Sequence, residues 1–191
     1  MLVAGAQANV VNDQVVRVTL KDSGTQVTGL EDIGKAESIA LAGGSVPVGR
    51  YTRQALINLG MLPETDDPAS ITTQEISDAL GGVEISEQDN VSKVLTAVVE
   101  GSCEVGTTYY SDTYGFEDQL DILQTVSYDL TGNVIYPIAR VVNEEADDAQ
   151  NQAAEDFLAV GKVFGGRDDG GLVNYEGVVW NRDYDWISDM E

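Results

Sequence analysis

Residues 38–60 read SIALAGGSVPVGRYTRQALINLG. Ser38 to Ala42 is a short apolar run suited to a buried strand, and Gly43-Gly44 ends it. From Val48 to Gly60 the apolar residues Tyr51, Ala55, Leu56 and Leu59 fall at i, i+4, i+5 and i+8, behind Pro47 and in front of Gly60. That pattern predicts an amphipathic helix with a proline start and a glycine stop. Strand, glycine loop and helix in immediate succession form a βα unit, and the neighbouring sequence repeats the alternation.

Upstream, Gln14 to Leu20 (QVVRVTL) reads as a strand that breaks at Lys21-Asp22-Ser23-Gly24, and Leu30 to Lys35 as a single helical turn. Downstream, Thr72 to Leu80 reads as a helix before Gly81-Gly82. Asn90 then caps a complete 3.6-residue stripe at Val91, Val94, Leu95, Val98 and Val99. Cys103 to Tyr109, Asp121 to Val126 and Asn133 to Val142 read as strands, the last demoted to an edge or a bend by Pro137. Asp147 to Val160 has the spacing of a surface helix, and the six acidic and no basic residues of 143–156 read as a solvated face. Alternating strands and helices predict an α/β fold with a three-layer, mainly parallel sheet and flanking helices. The expected division is an α/β domain over residues 1–165 and an acidic tail over 166–191 that carries both tryptophans. No repeat shows at periods of 20–50 residues.

The 191 residues are enough to bury roughly 70% of the unfolded surface. Thirty-three acidic against ten basic residues give a formal charge of −23, which repels phosphate backbones and anionic headgroups, so nucleic acid is not an expected partner. The absence of histidine excludes Ser-His-Asp and Cys-His catalysis and histidine metal ligation. A single cysteine, Cys103, excludes an internal disulfide and reads as a small buried hydrophobe. No metal site and no cofactor are expected: Asp168-Asp169-Gly170 and Asp183-Tyr184-Asp185 do not fill a calcium-loop pattern. An enzyme working through paired carboxylates is disfavoured because no spacing singles out a pair. No apolar run approaches the ~20 residues of a membrane span, and Met1 to Gly5 does not read as a signal peptide.

Gly44 to Tyr51 has the glycine spacing of a phosphate loop without its Lys-[Ser/Thr] pair, so a nucleotide loop is disfavoured. Two readings remain for it. A glycine loop that opens a helix at the carboxyl end of a strand offers N–H groups and a positive dipole end to an anion. The same glycines also serve a tight turn with no ligand. Asn90-Val91-Ser92 is a second helix start, or a glycosylation sequon. Gly106 to Asp112 crowds hydroxyls and tyrosines at a strand end, either as anion donors or as an ordinary wet terminus.

Ser45 to Gly60, Asn90 to Leu95, Val105 to Asp112 and Val134 to Ala139 together resemble, in order and separation, the successive motifs of molybdate-binding proteins of ABC importers. The resemblance covers about residues 12–160. It implies one lobe of a two-lobed periplasmic-binding-protein fold that takes a tetrahedral oxyanion, molybdate or tungstate, and delivers it to an ABC permease outside the cytoplasm. The family's oxyanion contacts fall on the N–H groups of Val48 and Val91 and on the hydroxyl of Tyr109. Gln14–Leu20 matches the strand entering the second lobe and Val134–Val142 the strand leaving it. The first lobe's serine loops have no counterpart, Gly81–Gln88 reads as an insertion, and the tail does not match the family's closing helix. The expectation is therefore an incomplete receptor that binds weakly by itself, with a second chain as one source of the missing lobe. The alternative is a lobe-derived interaction module that has lost its ligand.

Overall fold

The computed structural model describes residues 2–165, which fall into two compact units. Residues 13–134 form one, and the flanking segments before Asp13 and after Val134 form the other. The chain thus passes between units at the two positions read as the entering and leaving strands.

The 13–134 unit is built on a five-stranded sheet. Its strands are β2 (Val15–Leu20), β3 (Ser38–Ala42), β4 (Glu84–Gln88), β5 (Val105–Tyr109) and β6 (Leu120–Thr125), in the order β4-β3-β5-β2-β6. β3 pairs in parallel with β4 and β5, whereas β2 pairs antiparallel with β5 and β6. Four strands therefore run one way and β2 runs against them, which corrects the reading of a mainly parallel ladder: two of the four pairings are antiparallel. Periodicity cannot show this, because a strand buried on both faces has the same apolar content in either direction. Val15, Val16, Val18 and even Arg17 are fully buried.

Helices cover both faces. Gly106 lies under α3 (Val91–Val99): a Cβ there would meet Val98 at 2.8 Å and Val94 at 3.0 Å. Its neighbour Thr107 points the other way, and its hydroxyl is hydrogen-bonded at 3.1 Å to Thr52 of α1 (Pro47–Asn58). The three layers follow from that pair of residues. A shorter helix, α2 (Thr73–Ala79), starts with a reciprocal cap in which Thr72 and Glu75 serve each other's N–H groups. Beyond β6, α4 (Tyr128–Thr131) is held to α1 by Asn58, whose amide donates to the Leu130 carbonyl at 2.7 Å.

Gly81–Gln88, read as an insertion, supplies the edge strand β4, which pairs with β3 residue for residue from Ser38–Glu84 to Ala42–Gln88. Its EISEQ sequence carries one apolar residue, as suits an edge guarded by charge. In the flanking unit β1 (Leu2–Asp13) pairs with β7 (Val134–Val141), and α5 (Asp148–Gly165) follows. β1 was not anticipated: LVAGAQANVVND is poor in β-formers over most of its length. β7 is an edge in its two-stranded sheet, where its Pro137 is tolerated. The expected tail and its two Asp-rich loops lie outside the described residues.

Two buried arginines replace ionic pairing with carbonyl contacts. Arg53 on α1, 1% exposed, donates to the carbonyls of Ile71 (2.8 Å), Ala42 (2.9 Å) and Gly49 (2.9 Å). Burial lowers its pKa, and Glu87 opposes the shift. Arg17 donates to the Gly29 carbonyl while its Nε and Nη2 have no partner among the described residues, and burial pulls it down to about 10 against the nearby Asp32 and Glu31.

Removing the Arg53 fork takes away three hydrogen bonds and leaves the buried carbonyls of Ala42 and Ile71 without that donor, at about 1–3 kcal/mol each, while the Gly49 carbonyl keeps its bond within the helix. Arg53→Met is therefore expected to lower the unfolding free energy by about 3 kcal/mol or more in urea titration, and Arg53→Lys to recover only part of it, because an ammonium cannot reproduce the planar fork. Gly49→Ala should destabilise by about 1–3 kcal/mol, since its Cβ would sit 2.3 Å from the backbone oxygens of Ala42 and Gly43.

Candidate functional site

β4, β3 and β5 are adjacent and parallel, so their carboxyl ends at Gln88, Ala42 and Tyr109 stand side by side on one edge of the sheet. The Gly43 N–H ties two of these ends together by donating to the Gln88 carbonyl at 2.9 Å. The chain leaves β3 into α1 and β4 into α3. Val48, Val91 and Tyr109 are thereby brought to the same edge, where open α/β sheets hold their ligands.

Val48 is the second residue of α1, behind Val46 at the N-cap and Pro47. Valine has no oxygen to cap with, and none does. The N–H groups of Val48 and Gly49 have no carbonyl behind them within the helix. The Val48 side chain is wholly buried, so its backbone is what this position can offer. Val91 is the first residue of α3, half-buried, behind an Asn90 whose side chain accepts from the Lys93 N–H at 2.9 Å. That cap leaves the N–H groups of Val91 and Ser92 outside it. Tyr109 closes β5, pairs with Val15, and is 8% exposed.

β2 runs against its neighbours, so its start lies on this edge too and brings Asp13 there. Asp13 is 5% exposed; it accepts from the Ser111 hydroxyl at 2.5 Å and from the Gln14 N–H at 2.9 Å. Asp112 accepts from the Thr108 hydroxyl at 3.1 Å and the Tyr109 N–H at 3.3 Å. Burial pushes the Asp112 carboxyl up, those two hydrogen bonds pull it back, and the nearby Asp13 adds to the upward push. The edge thus combines uncapped helix donors with two neighbouring carboxylates. Reading along the chain misses the second feature, because Asp13 and Ser111 meet across a separation of 98 residues. The only local sign was Asp112 within an otherwise hydroxyl-rich run.

A cleft of about 470 Å3 opens beside the start of α1, lined by Ser45, Pro47, Arg50, Tyr51, Gln54 and Thr131. None of Val48, Val91 and Tyr109 lines it; it lies between the first two turns of α1 and Thr131 at the end of α4. Gly44 and Gly49 have structural reasons of their own, since a Cβ at either would strike backbone oxygens. Cys103 is 4% exposed and burial pushes its thiol up. Among the described residues no group of three or more His, Cys, Asp or Glu could hold a metal ion, and no helix is long and apolar enough to cross a membrane.

The same architecture occurs in solved proteins. The substrate-binding domain of a putative molybdenum ABC transporter from Clostridium difficile is 25% identical, with a TM-score of 0.61 over 83% of this chain and 62% of that one. The periplasmic molybdate-binding protein of Azotobacter vinelandii is 13% identical, with a TM-score of 0.55 over 84% and 63%. The CcmR regulatory domain of Synechocystis PCC6803, solved with 2-PG, is 10% identical, with a TM-score of 0.50 over 85% and 71%. The chain spans somewhat less than two thirds of the length of the first two. No curated protein matches it by sequence. A family model matches residues 1–160, and on that match, with a fold shared by known receptors, the chain belongs to the bacterial extracellular solute-binding proteins.

Proposed function

We propose that this solute-binding chain contributes one lobe of a site for a tetrahedral oxyanion, molybdate or tungstate, and presents it to an ABC permease outside the cytoplasm. The observation that carries the reading is the meeting of three features on one sheet edge: the uncapped start of α1 at Val48, the start of α3 at Val91, and Tyr109 at the end of β5. N–H groups and a phenol hold an anion without a countercharge, which suits a protein of formal charge −23. The likeness to two molybdate-related proteins supports the choice of ligand. The function proposed is binding without catalysis.

The carboxylates of Asp13 and Asp112 oppose an anion at this edge. They favour a second reading, an interaction module that has kept the lobe and lost the ligand. The two readings part at Asp112. Under the first, removing its charge helps an oxyanion; under the second, it changes nothing in a molybdate titration.

With one lobe's donors only, molybdate should bind the 191-residue chain with a micromolar or weaker constant, read by calorimetry or NMR titration. A charge-assisted hydrogen bond contributes about 1.5–3 kcal/mol, or about tenfold or more in affinity. Tyr109→Phe should weaken binding by about that factor. A submicromolar constant at one oxyanion per chain would sink the one-lobe reading, and binding indifferent to Tyr109 would sink the site.

Asp112→Asn should tighten molybdate binding at neutral pH. It should also stabilise the fold there, because a carboxyl whose pKa is raised on folding stabilises in its protonated form and loses that contribution as pH rises through the raised value. The gap in melting temperature between variant and parent should therefore close as pH falls below the usual carboxylate range. A gap that persists unchanged in acid would show that Asp112 is not strained by its charge.

A further inference from the structure

The cleft beside the start of α1 belongs wholly to the 13–134 unit. Four of the residues that line it, Pro47, Arg50, Tyr51 and Gln54, fall at i, i+3, i+4 and i+7 and so share one face of α1. Ser45 precedes the helix, and Thr131 closes the cleft from the end of α4. The two walls are fixed to each other. Gln54 donates to Asn58 at 3.0 Å, Asn58 donates to the Leu130 carbonyl, and the buried Thr131 donates from its hydroxyl to the Gly132 carbonyl at 2.7 Å. The volume of about 470 Å3 is more than a tetrahedral oxyanion fills and lies in the range of small-molecule sites.

Charge sets this cleft apart. The chain has 33 acidic residues, yet none of them lines it, and Arg50 does. The other basic side chains from Arg17 to Arg140 all have acceptors: carbonyls for Arg17, Lys21 and Arg53, carboxylates for Lys35, Lys93 and Arg140. The exposed Arg50 guanidinium has none among the described residues, and α1 carries no acid that could meet it one turn away. The hydroxyls of Ser45 and Tyr51 are likewise without a hydrogen bond among the described residues. A free planar cation thus stands beside the half-buried ring of Tyr51 and the ring of Pro47. The guanidinium fork matches a carboxylate in two parallel hydrogen bonds, and the two flat apolar surfaces match an aromatic body.

We propose that this cleft is a second binding site, for a small aromatic carboxylate: Arg50 pairs the carboxylate, Tyr51 and Pro47 pack on the ring, and the Ser45 and Tyr51 hydroxyls take its polar substituents. The inference does not rest on the oxyanion reading, because none of Val48, Val91 and Tyr109 lines the cleft.

The probe is 4-hydroxybenzoate, titrated into the full chain by NMR and calorimetry. Saturable binding of one molecule per chain is expected, with a dissociation constant of about a millimolar or tighter and shift changes centred on Ser45 to Gln54 and Thr131. Arg50→Gln should weaken binding about tenfold or more, and Arg50→Lys should recover only part of the loss. Both variants should keep the parent's circular dichroism and urea midpoint, since Arg50 is exposed and without a partner among the described residues. Lys35→Gln, which removes an equal charge elsewhere on the same unit, should leave the constant unchanged, and so should saturating molybdate. The neutral analogue 4-hydroxybenzamide should bind about tenfold more weakly or not at all. The proposal is overturned if 4-hydroxybenzoate does not saturate, if the amide binds as well as the acid, if Arg50→Gln binds like the parent, or if molybdate competes. A polyglutamate peptide that binds more tightly than 4-hydroxybenzoate, and loses that binding in Arg50→Gln, would assign Arg50 to a protein partner and equally overturn it.

Discussion

The Arg53 guanidinium holds together the part of this protein on which the site depends. One planar group hydrogen-bonds the last carbonyl of β3, a carbonyl in the first turn of α1, and the loop before α2 at Ile71. Without it the β3–α1 turn would rest on its backbone hydrogen bonds alone, and Gly44 and Gly49 are there for close approach and not for rigidity. A fork with several rigidly spaced donors can satisfy three carbonyls that converge from different segments; no neutral side chain can. The burial that makes the clamp strong also lowers the arginine's pKa, a cost offset by those carbonyl contacts and by Glu87.

Charge is the second constraint. Under the proposed reading an anion would meet dipoles at the carboxyl edge of this sheet, which presents two helix starts, one of which follows a valine that cannot cap. The same edge holds Asp13 and Asp112, brought there by the antiparallel course of β2. Attraction and repulsion are thus set within one small region by strand direction. Reversing β2 would carry Asp13 to the far edge and leave Asp112 without its neighbour.

Most elements were legible because their signals are local. Pro47 and Gly60 bracket α1, Asn90 caps α3, and the stripe at Val91, Val94, Leu95, Val98 and Val99 needs no tertiary information. β1 and β4 were not legible for a physical reason. Leu2–Asp13 is rich in alanine, glycine and amides, and Glu84–Gln88 is polar on an exposed edge. Both become strands because a partner with free hydrogen-bonding groups lies alongside, and a partner is not written in the segment itself.

The sequence by itself determined the α/β class, the starts of the two helices at Val48 and Val91, the strand end at Tyr109, and the exclusion of histidine-dependent chemistry, since each depends on composition or on residues within a few positions. Only the tertiary structure decided that β2 runs against its neighbours, that the three strand ends share an edge, that Asp13 meets Ser111 there, and that Arg53 closes the turn. Those features arise from contacts between segments tens of residues apart. Periodicity records how a segment meets solvent and core, and it carries no record of which other segment it meets or in which direction.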